Sequence, residues 1–60
     1  MQFTLIFECS DVCGETLFHE EVVEAASELE AFRKGMHMKN KAPSWFPEEE
    51  GVTVENITVQ

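Results

Sequence analysis

The chain predicts an α+β domain, a three-stranded antiparallel sheet in the order β-β-α-β with one helix packed on one face. Three observations lead there. The first residues alternate apolar and polar with the period of a strand, a capping box opens a helix at Ser27, and a β-branched run closes the chain. Sixty residues allow one domain, Met1–Gln60, and a chain of that size buries only about 60% of the surface its unfolded form exposes. A hydrophobic share of 43% is still too high for disorder, which combines low hydrophobicity with high charge.

Taken in order, Phe3, Leu5, Phe7 and Cys9 alternate with Gln2, Thr4, Ile6 and Glu8, so the first strand has one apolar face. Ile6 places an apolar group on its nominally wet face. Asp11-Val12-Cys13-Gly14 carries turn chemistry, with Asp in the first position and Gly where a left-handed backbone is needed. A hairpin folded there pairs Phe3–Ser10 with a second strand near Glu15–Glu24. Thr16, Leu17, Phe18, Val22 and Val23 suit that strand, but one of Glu20 or Glu21 would then face the core unless a bulge intervenes. The same stretch has a rival reading. Phe18, Val22, Ala25, Leu29, Phe32 and Met36 recur at helical spacing, consistent with a β-α-β arrangement containing one long helix, Glu15–Met38.

Ser27-Glu28-Leu29-Glu30 favours the hairpin, because a hydroxyl followed three residues later by Glu marks a helix start. The helix Glu28–Met38 has acids in its first turn and Arg33 and Lys34 beyond, as the helix dipole prefers, with Gly35 as its weak point. Lys39–Glu50 reads as a long loop in which Pro43 and Pro47 bracket Ser44-Trp45-Phe46. Gly51–Gln60 reads as the closing strand. Its apolar residues change parity between Val54 and Ile57, which a bulge near Glu55-Asn56 reconciles. A helix after the second strand carries the chain back, so the last strand can lie beside the first.

The formal charge of −8 argues against direct nucleic-acid or anionic-membrane binding, since basic surfaces supply most of that affinity. Met1–Ala25 contains no Lys or Arg, and all four basic residues (Arg33, Lys34, Lys39, Lys41) fall within nine positions. The start of the chain has neither the basic residues nor the apolar stretch of a signal peptide, and no run approaches membrane-spanning length, so a cytoplasmic protein is expected.

Catalytic groups are sparse. There is no Tyr, no glycine-rich phosphate loop and no convergent Ser-His-Asp set, so no enzyme and no cofactor are expected. Cys9, Cys13, His19 and His37 lack the tight paired spacings of zinc sites and read as a core thiol, a turn thiol and two unrelated imidazoles. Trp45 and Phe46 with Glu48, Glu49 and Glu50 are the candidate partner-binding residues. Aromatics anchor protein interfaces and an acidic rim steers encounter, although Trp45 could equally fold back over the helix and cap the core.

The pieces Val23-Glu24-Ala25-Ala26-Ser27-Glu28-Leu29-Glu30-Ala31 and Gly51-Val52-Thr53-Val54, in their order and spacing, resemble those of very small phage-encoded accessory proteins that bind and inhibit host machinery. The resemblance implies a hairpin, a helix opening after an Ala-rich junction, a long loop and a closing strand, and a host protein as partner. That family's contacts rely on basic residues in the closing strand. Val52–Gln60 has none, so those contacts do not carry over. A homodimer is also expected, through a sheet face on which Ile6 joins Ile57 or Val52.

Overall fold

The computed structural model describes every residue from Met1 to Gln60. Three strands, β1 (Gln2–Ser10), β2 (Thr16–Glu24) and β3 (Thr53–Val59), form one antiparallel sheet in the order β2-β1-β3, and α1 (Glu28–Met38) packs across one face. The layout is the expected β-β-α-β. β1 is central, and its alternation fills the core: Phe3, Leu5, Phe7 and Cys9 are all buried on the helix side.

The turn works as its residues dictate. Asp11 Oδ1 accepts from the backbone N–H of Cys13 and of Glu15, both at 2.9 Å, and Gly14 takes a positive φ of 81°. This fixes the register from Ser10↔Thr16 to Gln2↔Glu24 without interruption. Thr16–Glu24 is therefore a strand, which overturns the single long helix Glu15–Met38. No bulge relieves Glu21, which faces the helix side, half-buried. It is tolerated there because its Oε1 is hydrogen-bonded to His19 Nε2 at 3.0 Å.

β3 carries the expected bulge. Glu8 pairs with Asn56 but Cys9 with Val54, so Glu55 is the extra residue. The change of parity puts Val54, Ile57 and Val59 together on the helix side, all half-buried, with Val52 buried just before them. This corrects the expectation that Ile57 or Val52 shares the open face with Ile6. The residues beside Ile6 there come from β2 instead.

Ser27 Oγ accepts from Glu30 N–H at 3.2 Å and Glu30 Oε1 accepts from Ala26 N–H at 3.3 Å, a capping box whose return bond lands one residue early. Gly35 does not end α1. It is buried, and a Cβ there would lie 3.3 Å from both Leu5 Cδ1 and Ile57 Cγ2. Gly35 and Ala31 bring the helix backbone close to the sheet. Past α1, much of the segment read as loop is helical: a 3₁₀ turn (Lys39–Lys41) leads into a short α2 (Ala42–Trp45). Pro43 fits because a first-turn residue needs no N–H donor, and Ala42 is fully buried beneath it.

Candidate functional site

The five residues picked out by sequence lie at the hairpin-turn end of the molecule, where α2 hands over to β3. Trp45 folds inward. Its ring stacks on His19 at 4.1 Å with an interplanar angle of 11°, and sits 4.6 Å from Phe7. Phe46 meets the same imidazole edge-on at 6.2 Å, and both Trp45 and Phe46 are half-buried. Phe7 and His19 are direct cross-strand neighbours, so α2 closes an aromatic cap over one β1–β2 pair.

The three glutamates separate. Glu48 and Glu50 are exposed, whereas Glu49 turns toward Asp11 and Glu15, whose carboxylate oxygens gather within 4.8 Å. Asp11 is nearly buried. The backbone N–H of Glu15 holds its carboxyl below the ordinary value, burial opposes that, and hydrogen bonds from Glu49, Cys13 and Gly14 add to it. Glu49 moves the other way. Its hydrogen bond to Asp11 raises it first, then burial, then the neighbouring charges of Asp11, Glu15 and Glu48. The two carboxyl groups thus shift in opposite directions where the loop meets the turn, and Val12 N–H ties the two segments directly by donating to the Glu50 carbonyl at 2.9 Å.

The thiols and imidazoles do not converge. Cys9 is buried, and burial first, then the charge of Glu55, raises its thiol, while Cys13 is exposed in the turn. The basic residues all lie on α1 and the 3₁₀ turn that follows it. Lys34 lies 3.9 Å from Glu30 and its ammonium donates to the Glu24 carbonyl.

Sequence reasoning overlooked two residues, Phe18 and Val22. Both point away from the helix and are 62% and 64% exposed. Ile6 pairs with Glu20, so Phe18 and Val22 flank it diagonally and complete an apolar row across β1 and β2. Glu8, Glu20 and Glu24 surround this row, with Glu24 paired to the N-terminal ammonium at 2.8 Å. No strand contains Lys or Arg. The turn at Asp11-Gly14 was the available signal, because once it fixes the register the partners of Ile6 follow by counting.

No helix is long and apolar enough to cross a membrane. No protein-family model, curated protein or solved structure matches the chain.

Proposed function

We propose that this chain is a small, acidic, non-enzymatic cytoplasmic protein that binds another protein through its open sheet face, an accessory protein of the kind phages and mobile elements encode. The observation that carries this reading is the row in which exposed Phe18 and Val22 flank half-buried Ile6 inside a rim of glutamates, on strands without a single Lys or Arg. A contiguous apolar patch with a polar rim is the usual form of a protein-binding surface. The acidic rim sets the partner's chemistry: a cationic surface studded with apolar side chains, such as a nucleic-acid-binding groove on a host protein. Trp45 serves this reading from behind, by fixing α2 and its loop to the β1–β2 pair.

Affinity capture from a host-cell lysate, run in parallel on variants, tests it. Phe18→Ser with Val22→Thr removes the row without touching the core. The circular dichroism spectrum should be retained, and the partner seen with the wild-type protein should be lost. Capture by the wild type should also weaken as salt rises, because the rim charges are exposed. If the double variant keeps the partner while Phe46→Ala loses it, the contact belongs to the loop residues Phe46, Glu48 and Glu50. A partner kept by both variants rejects both surfaces.

A further inference from the structure

The two edges of the sheet are guarded unequally. β2, at one edge, carries Glu20, Glu21 and Glu24, and inward or outward charges of this kind discourage pairing. β3, at the other, has a single charge, Glu55, and it is turned away from the edge. Its Oε1 accepts from the hydroxyls of Ser10 at 2.7 Å and Thr53 at 3.1 Å. From Asn56 to Val59 the edge has no charge, no proline and no bulge.

The direction of its free backbone groups follows from the pairing. Thr4 and Gln60 exchange both backbone hydrogen bonds, at 2.8 and 2.9 Å, so Gln60 and, by alternation, Thr58 face β1. Ile57 and Val59 therefore aim their N–H and C=O groups outward. Their side chains lie half-buried on the helix side, and above them α1 presents an uncovered apolar flank: Leu29, Phe32 and Met36 are 59%, 39% and 42% exposed. Phe32, Met36 and Lys39 form one wall of a groove of about 200 Å³ whose other wall runs from Val54 through Glu55 and Asn56 to Ile57.

We infer that this edge and flank dock a second copy of the chain, with β3 pairing antiparallel to its own copy about a two-fold axis at Thr58. In that register Ile57 of each chain bonds Val59 of the other, the sheet continues through six strands, and both α1 helices lie on the same face. Phe32 and its neighbours then cover one another. Charge selects a copy at this site. The helices run antiparallel, so the acidic first turn of one, with Glu28 and Glu30, lies toward the Lys39–Lys41 end of the other. Two copies joined by their open faces would instead set Glu8 and Glu20 against the same glutamates. The homodimer expected from sequence thus moves from the open face to the β3 edge, and the open face stays free for the partner proposed above.

Sedimentation of the wild type at micromolar concentration should give the mass of two chains. Phe32→Lys should give one, with its circular dichroism spectrum unchanged. The axis is tested separately, in a Cys13→Ser background, with Thr58→Cys. Facing residues that do not bond each other across an antiparallel pair sit close enough for a disulfide, so oxidised glutathione should cross-link Thr58→Cys and leave Asn56→Cys uncross-linked. A monomeric wild type overturns the inference. So does a dimer that survives Phe32→Lys but dissociates on Phe18→Lys, which would place the contact on the open face, and so does equal cross-linking at both positions.

Discussion

The two sides of α1 differ in a way its composition conceals. The side against the sheet is made of its smallest residues, Ala31 and Gly35, both buried, whereas the flank beside β3 holds Leu29, Phe32 and Met36, all substantially exposed. The helical spacing of the large residues marks the wrong side as the buried one. Bulk in this core comes from β1, whose Phe3, Leu5 and Phe7 already fill the layer, and the helix serves as a close-fitting lid. A lid can approach only where it is small. Burial here follows the space that remains, and hydrophobicity alone does not decide it.

If β1 supplies the bulk, Phe7→Ala should be the most damaging single change. Phe7 is fully buried and carries Trp45 against its ring, and such truncations cost about 3–5 kcal/mol. In a domain of this size that removes most of the folding free energy, so denaturant melts should find the variant largely unfolded at room temperature. A cooperative, near-native melt would show that the aromatic layer is less central than its burial implies.

The lid itself can be tested from both sides. Gly35→Leu forces a side chain into the 3.3 Å gap below Leu5 and Ile57, an overpacking that costs about 1–3 kcal/mol. Phe32→Ser removes a side chain that is 39% exposed in the monomer, and it should cost the dilute monomer less than Gly35→Leu does. Reversal of that order in urea titrations would mean that the flank, and not Gly35, is the packed side. Ser27→Ala probes the placement of the helix start, and should cost about 1 kcal/mol if the cap bond to Glu30 N–H sets where the lid begins.

The smallest effect belongs to the turn that aligns the two strands. Asp11 is held below its ordinary value, so its stabilising contribution is present above the usual Asp range and is lost as pH falls through the lowered value. Glu49 is raised, so its contribution is present while it is protonated and is lost as pH climbs through the raised value. The tie is tightest in the mildly acidic window between the two. Glu49→Gln keeps a hydrogen-bond donor toward Asp11 at every pH. It should melt higher than the wild type at neutral pH, and the difference should shrink in mild acid. An unchanged difference across that range would detach the tie from the titration of Glu49.

The sequence by itself determined the local chemistry. The alternation of Phe3–Cys9, the Asp11-Gly14 turn, the Ser27 capping box and the parity change that calls for a bulge near Glu55-Asn56 all act between near neighbours, so each could be read where it stands. Only the tertiary structure decided the rest. Trp45 became a cap over Phe7 and His19, Glu49 parted from Glu48 and Glu50 to meet Asp11, and Phe18 and Val22 joined Ile6 on the open face. Those outcomes depend on residues far apart in the chain and on how closely α1 can settle. That closeness is set by Gly35, whose missing side chain carries no sign of the contact it permits.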